Sequence, residues 1–146
     1  MPVQIEGKWY SHPLSLNVYG LNITKENIRR AGIVYIFEAE KSVLQCESFS
    51  TPNCAAAVCG SQLNKYIVDI IMRYCSPQEI VICFDKEEEP RSQKYFDKLF
   101  NMCSKYKNYS NFSFIYDKEN LLNLKDSPSD HGEEVFNRLL QTRVRV

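Results

Sequence analysis

The sequence has no excess of charge of either sign, since 18 lysine and arginine residues balance 18 aspartate and glutamate residues over 146 positions. No uniform field therefore draws the whole molecule onto nucleic acid or a membrane. The apolar runs are far shorter than the roughly 20 residues of a membrane span, and the N-terminus has no apolar signal-peptide core. We expect a cytoplasmic protein without membrane contact, which meets nucleic acid only through a local basic patch or another segment of the protein.

Zinc-ligand spacing is also absent. The six cysteines, at positions 46, 54, 59, 75, 83 and 103, include no Cys-x-x-Cys pair, and only His12 and His131 could join them. Several cysteines lie within apolar patterns, as Cys83 does, which is typical of buried reduced thiols. We predict no zinc and no disulfide framework.

The sequence does contain an alternation of apolar strands and amphipathic helices, in a length that suits one domain. We predict helices at 24–30 with Thr24 as its cap and Gly32 as its end, from residue 40 or 41 to about 49, from a Ser61 cap to Tyr74, after Pro90, and around 135–140. The predicted strands are 33–37, 55–58, 80–84 and 112–116. This order predicts an α/β domain with a mainly parallel four-stranded sheet and helices on both faces.

The strongest candidate site follows the strand at 80–84, where an apolar run ends in Asp85, Lys86 and Glu87. Residues two apart in an extended chain point the same way, so Asp85 and Glu87 share a face. Two carboxylates held that close repel each other unless a cation lies between them, and Mg²⁺ suits oxygen ligands of this kind. Taken alone, the acidic run 85–89 is also typical of a solvated turn.

A third carboxylate, Glu38, follows the strand at 33–37. Ligand sites of parallel sheets lie beyond the carboxyl ends of the strands. If these two strands are neighbours, Glu38, Asp85 and Glu87 converge at one edge of the sheet.

These residues resemble the Toprim domain of bacterial-type DNA primases, in a version similar to phage-borne ones. The resemblance lies in Ile33-Val-Tyr-Ile-Phe-Glu38, in the strand from Ala55 to Gly60, in Asp85-Lys-Glu87 and in the loop Lys125-Asp-Ser-Pro-Ser-Asp130. Ala39 and Ser42 stand where the family has a glycine and an acid, and Glu87 stands where it has an aspartate. The resemblance implies that residues 1–23 are a lead-in segment packed on the core and that residues 24–146 are the Toprim domain of a longer primase.

The resemblance implies metal-dependent nucleotidyl transfer that makes RNA primers for DNA replication. Glu38, Asp85 and Glu87 would be the catalytic residues and ligands of Mg²⁺ or Mn²⁺, with Asp126 and Asp130 as further metal ligands. Lys41, Gly60 and Lys86 are candidate phosphate contacts. The implied partners are a single-stranded DNA template, nucleoside triphosphates and a replicative helicase, all through the full-length protein, and we expect residues 1–146 alone to be inactive.

Other functions fit the same pattern. The domain could belong to a nuclease or topoisomerase, or it could be a Toprim module that binds DNA or protein without catalysis. A receiver-like signalling domain also places acids after its first and third strands, although Asp85-Lys-Glu-Glu-Glu is a poor setting for a phosphorylated aspartate. The residue types at 126–130 are equally typical of an ordinary turn without a metal.

Overall fold

The computed structural model describes residues 3–5, 8–10, 18–87 and 93–146. Within them the strands are β1 (Val3–Ile5), β2 (Lys8–Tyr10), β3 (Ile33–Phe37), β4 (Ala55–Ala57), β5 (Glu79–Cys83), β6 (Asn111–Phe114) and β7 (Val144–Arg145). The helices are α1 (Leu21–Ala31), α2 (Glu40–Glu47), α3 (Lys65–Tyr74), α4 (Gln93–Tyr106) and α5 (Glu133–Gln141). The predicted mixed α/β class is confirmed.

A five-stranded sheet in the order β4-β3-β5-β6-β7 forms the centre of the domain. Its four predicted strands run parallel to one another, and β3 pairs with β5 from Ile33 opposite Glu79 to Phe37 opposite Cys83. Strands β3 and β5 are buried almost throughout, which explains their near-continuous apolar sequences.

Alternate residues of these strands supply two separate cores. Val34, Ile36, Ile80 and Ile82 belong to the cluster that includes buried residues of α1, α3 and α4. Phe37, Val81 and Cys83 belong to the cluster that includes buried residues of α2 and α5. Helices therefore cover both faces of the sheet, as predicted.

Two of the predicted helix caps are wrong. Thr24 lies inside α1 and is fully buried, and its hydroxyl donates to the carbonyls of Gly20 and Ala55. Asn64 rather than Ser61 caps α3, because its side chain accepts a hydrogen bond from the Ile67 N–H. Gly32 does end α1, where its φ of 72° suits glycine and its N–H donates to the Ile28 carbonyl.

Three strands were not predicted. β7 pairs antiparallel with β6, so the sheet has one strand more than expected. β1 and β2 form a separate antiparallel pair. The predicted packing of side chains in residues 1–17, and the start of the helix after Pro90, lie outside the described residues. α1 begins at Leu21, so the boundary drawn between residues 23 and 24 falls inside a helix.

All six cysteines are free, and five of them are buried, which confirms their interpretation as core thiols. Within the described parts of the chain, no helix combines the length and apolar character needed to cross a bilayer. The strand order reverses at β3, which has β4 on one side and β5 on the other. A crevice for ligands is expected where β3 and β5 end, at Glu38 and Asp85.

Candidate functional site: an acidic edge at the ends of β3 and β5

Glu38 and Asp85 meet directly beyond the paired ends of β3 and β5. The Asp85 backbone N–H donates a hydrogen bond of 2.6 Å to the Glu38 carboxylate. The Asp85 carbonyl in turn accepts a 2.6 Å hydrogen bond from the hydroxyl of Tyr95 on α4. These contacts fix the backbone at the end of β5 and hold the Glu38 carboxylate against the Asp85 backbone.

The pKa of Glu38 is raised to about 7, mainly by burial; the nearby charges of Asp85 and Glu87 also raise it, and the hydrogen bond from the Asp85 N–H opposes them. Burial is also the main cause that raises the pKa of Asp85, with the charges of Asp130, Glu87 and Asp126 adding to it against Lys41. Both carboxylates therefore resist ionisation in the absence of a cation, and a cation bound between them would relieve that cost.

Glu87, the third acid, is instead engaged by the loop that follows β6. Its carboxylate accepts a 2.8 Å hydrogen bond from the Lys125 ammonium and is about one-third exposed. Glu87 still lies near enough to raise the pKa of both Glu38 and Asp85. Its predicted role as a metal ligand stays a prediction.

Asp126 and Asp130, on the same loop, both have partners of their own. Asp126 lies 2.6 Å from the His131 ring and accepts a hydrogen bond from the Asn123 N–H, and these contacts lower its pKa. The Asp130 carboxylate accepts from the Gln45 amide, the Ser127 N–H and the Lys41 ammonium. Burial alone would raise the Asp130 pKa, but these three contacts lower it overall.

The contacts of Asp130 join the acidic loop to α2. They are reinforced by a chain of hydroxyl groups, in which Ser42 contacts Ser127 at 2.8 Å and Ser127 contacts Ser129 at 3.1 Å. Ser42, which stands where the resembling family has an acid, is thus a buried structural residue. Lys41, predicted to contact phosphate, forms an ion pair of 3.1 Å with Asp130 while remaining largely exposed.

The two other candidate phosphate contacts differ sharply from each other. Gly60 is open, with no atom within 4 Å of the position a Cβ would take, and its N–H donates to the Glu38 carbonyl. Lys86 is buried, and its ammonium donates to Asp117, Asn120 and the Leu122 carbonyl. In this arrangement the Lys86 ammonium does not reach solvent or a phosphate.

The donor set fits a hydrated divalent ion better than a closed cage. Among the described residues, no group of three or more His, Cys, Asp or Glu side chains is arranged to enclose a metal. Mg²⁺ usually takes one or two carboxylates and completes its shell with water and substrate phosphate. Glu38 and Asp85, with raised pKa values and no cationic partner within hydrogen-bonding distance among the described residues, can supply those two ligands.

Sequence reasoning missed a row of polar residues along α4. Lys94, Lys98, Asn101 and Lys105 recur at i, i+4, i+7 and i+11 and are all exposed. None of the three lysines forms an ion pair with a described residue. Lys98 lies near enough to Glu38 to offset part of the burial that raises its pKa. The helical spacing was visible in the sequence, beside the apolar stripe of Leu99 and Cys103.

No family model matches this sequence. The chain is 34% identical over 158 aligned positions to YorJ, an uncharacterized protein of Bacillus subtilis (strain 168) derived from the SPbeta prophage. The alignment covers all of this chain and 42% of YorJ.

Solved primase structures share the fold. One is the Aquifex aeolicus primase, in its zinc-binding and RNA polymerase domains, with a TM-score of 0.67 and 17% identity over 95% of this chain and 32% of that one. Another is a DnaG primase catalytic domain bound to single-stranded DNA, with a TM-score of 0.66 and 13% identity over 92% of this chain and 41% of that one. A third is the RNA polymerase domain of Mycobacterium tuberculosis DnaG in complex with double-stranded DNA. Its TM-score is 0.63, and it is 17% identical over 96% of this chain and 45% of that one.

The chain spans about two-fifths of the relative it matches and less than half of these primase chains. At these identities the likeness shows a primase-like fold. It does not show the activity of a whole primase.

The raised pKa of Glu38 predicts a dependence of stability on pH. Between its ordinary value of 4.5 and about 7, the folded protein holds a proton that the unfolded chain has lost, so stability falls as the pH rises through this range. The full shift corresponds to about 3 kcal/mol, which solvent screening at this half-exposed group reduces to about 1 kcal/mol. Glu38→Gln, which keeps an oxygen to accept the Asp85 N–H, should remove that loss and be more stable than the wild type at pH 8.

The measurement is the free energy of unfolding by urea at pH 5 and pH 8. Glu133→Gln is the control, because hydrogen bonds from Ser50 and Thr51 lower the Glu133 pKa. The ionised Glu133 therefore stabilises the fold fully above its ordinary pKa of 4.5, and this stabilisation is lost only at lower pH. In Glu133→Gln the difference in the free energy of unfolding between pH 5 and pH 8 should match that of the wild type. An unaltered difference between pH 5 and 8 in Glu38→Gln would contradict the assignment.

Proposed function

We propose that this chain is the catalytic Toprim domain of a primase-type nucleotidyltransferase, with Glu38 and Asp85 as its principal metal ligands. The observation that carries the proposal is the contact of these two acids at the point where the strand order reverses, with the pKa of both raised. The primase-like fold supports the proposal, and the prophage origin of the 34% identical relative is in line with a phage-borne protein.

The residues divide the chemistry between them. Glu38 would be either a metal ligand or the general base that accepts the proton of an attacking 3′-hydroxyl, and its pKa of about 7 without metal suits the second role. Asp85 stays beside it because its backbone is held by Glu38 and Tyr95. A bound Mg²⁺ would neutralise the charge that develops on the transferred phosphate. Glu87, Asp126 and Asp130 add negative potential around the pair and favour retention of a divalent cation.

A nucleic-acid strand must still be held next to this acidic edge. The groove of about 300 Å³ between α4 and the segment preceding α3 is lined by Lys98, Lys105, Asn101 and Gln62. Ammonium and amide groups suit a phosphodiester backbone, and Tyr66 at the start of α3, 64% exposed, offers a face on which a base can stack. We include this groove in the proposal as the path of a single-stranded template toward Glu38.

A binding module without catalysis is the second candidate, favoured by one specific observation. Of the five acids predicted as metal ligands, Glu87 and Asp130 are already paired with lysines and Asp126 with a histidine. If these pairs persist in solution with metal present, only Glu38 and Asp85 remain as ligands. Metal binding and primer synthesis distinguish the two candidates.

We expect Mn²⁺ to bind between Glu38 and Asp85. Paramagnetic broadening of amide signals should be strongest near these two residues, and binding should strengthen as the pH rises through about 7, because the proton on Glu38 competes with the ion. The double variant Glu38→Gln, Asp85→Asn should lose the broadening and remain folded. Glu26→Gln, on α1 with an exposed partner in Arg29, is the control and should bind as the wild type does. Equal broadening in the double variant would place the metal elsewhere.

Primer synthesis by residues 1–146 alone should be absent. Affinity for a template comes mostly from lysine and arginine residues that neutralise phosphates, and here the acids gather at the proposed active edge. The assay uses a single-stranded template, ribonucleoside triphosphates and Mg²⁺ or Mn²⁺, for this chain and for full-length YorJ in parallel. We expect primers from YorJ only. Synthesis by the 146-residue chain would contradict this prediction and show that the chain binds a template without further domains. No synthesis by either protein would favour the binding module.

The groove along α4 predicts a weak, salt-sensitive affinity for single-stranded DNA. Each lysine that contacts a phosphate contributes about 0.7 to the slope of log K against log salt concentration. Lys98→Gln with Lys105→Gln should therefore lower the slope by about 1.4 in total. Fluorescence anisotropy with an oligothymidine at several salt concentrations measures it. Arg30→Gln with Lys118→Gln removes the same charge elsewhere, and an equal loss in that control would mean that the α4 groove has no special role.

A further inference from the structure

Lys86 is a buried cation between two proposed metal-site acids. It lies between Asp85 and Glu87 in the sequence, yet its side chain is only 5% exposed. Its ammonium donates to the Asp117 carboxylate at 3.0 Å and to the Leu122 carbonyl at 2.9 Å, and also to the Asn120 side chain. An ammonium has three protons to donate, and all three are used.

Asp117, the partner of Lys86, is equally buried, with its side chain 3% exposed. Its carboxylate also accepts hydrogen bonds of 2.8 Å from the Leu121 and Leu122 N–H groups. The pair therefore links the end of β5 to the loop of residues 117–126, which follows β6. Every acceptor of the Lys86 ammonium belongs to that loop.

The backbone of Lys86 holds the far end of the same loop. Its N–H donates to the Asp126 carbonyl at 2.9 Å, and its carbonyl accepts from the Lys125 N–H at 2.7 Å. Lys125 has a φ of 72°, a conformation that residues other than glycine adopt at a cost, and these hydrogen bonds hold it there. Lys86 thus holds the start of the loop through its side chain and the end of the loop through its backbone.

We propose that Lys86 is a positioning residue, which with Asp117 holds loop 117–126 against β5 so that Asp126 and Asp130 lie beside Asp85. The inference rests on the proposed function of the acidic edge and deepens it, because it assigns the placement of the second set of acids to one buried ion pair. The raised pKa of Asp85, to which Asp130 and Asp126 contribute after burial, reflects that proximity. The Lys86 ammonium itself would touch neither metal nor substrate.

The physical chemistry of buried ion pairs dictates the choice of variants. Removing one partner leaves an uncompensated buried charge and is strongly destabilising, whereas replacing both is often tolerated. Lys86→Met alone would leave the Asp117 carboxylate without its cation and could unfold the domain. Lys86→Met combined with Asp117→Asn removes both charges and keeps a side-chain oxygen at position 117 to accept from one of the two loop N–H groups. The double variant is therefore the test protein.

A matched control is the ion pair of Glu79 and Arg143, at the opposite end of β5. Glu79 accepts hydrogen bonds of 2.6 and 2.9 Å from the Arg143 guanidinium, and both side chains are mostly buried. Glu79→Gln with Arg143→Met removes a comparable pair far from the acidic edge. Any general effect of lost stability on metal binding will appear in this control too.

Two measurements on the folded variants test the inference. Without metal, amide hydrogen exchange at Lys125 and at residue 86 should become at least about tenfold faster in the Lys86–Asp117 double variant, while exchange within β3 stays as in the wild type. With Mn²⁺, affinity should fall by about tenfold, the lower range for loss of a partner that orients metal ligands. Broadening should disappear at Asp126 and Asp130 and persist at Glu38 and Asp85. The Glu79–Arg143 control should show neither change.

Each outcome decides the matter. Unchanged exchange at the two amides would overturn the inference, because the pair would then not hold the loop. Faster exchange with unchanged Mn²⁺ affinity and broadening would overturn it as well, since the pair would be structural only. If the wild-type chain binds no Mn²⁺, the proposed function fails and the positioning of metal ligands fails with it. In that case exchange would still show whether the pair holds the loop.

Discussion

The parallel pairing of β3 with β5 is the constraint on which the site depends. Both strands are largely buried, Glu79 at the start of β5 is their only charged residue, and Glu38 and Asp85 follow where the two strands stop. Because the paired strands end opposite each other, at Phe37 and Cys83, Glu38 and Asp85 emerge side by side. Burial at the strand ends is the main cause that raises the pKa of both carboxylates, and neighbouring negative charges add to it.

Among the described residues, three acids near this pair have a lysine or histidine partner. Lys125 pairs with Glu87, His131 with Asp126, and Lys41 with Asp130. These partners come from the same short loop or from α2, so the neutralisation is built locally. Glu38 and Asp85 have no such partner within hydrogen-bonding distance among the described residues, and they lie at the crevice where an α/β sheet of this order binds its ligands. A divalent cation is the simplest group that stabilises such a pair.

Much of this could be predicted from the sequence, because much of it is local. The periodicity of apolar residues located the four parallel strands and the helices between them, and Glu38 and Asp85 stood out as acids at strand ends. Contacts between residues far apart in the sequence produce no local pattern from which they could be predicted. Thr24 looks like a helix cap, yet it is buried inside α1 through a hydrogen bond to Ala55, 31 residues away. Lys86 looks like an exposed phosphate contact, and only its partner Asp117, also 31 residues away, explains its burial. β7, with two residues, is too short for any period to reveal.

The change from aspartate to glutamate at position 87 has a structural consequence that the sequence alone left open. The longer side chain reaches Lys125 across the edge of the site, and Lys125 is held in place by the backbone of Lys86. Glu87 therefore belongs to the contacts that hold the loop, while Asp85, two residues earlier, contacts Glu38 through its backbone N–H. The paired acids at this edge thus come from two neighbouring strands, β3 and β5, instead of from two positions on one strand. An ion bound there would bridge the strand ends, and its affinity would depend on how firmly the sheet holds β3 against β5.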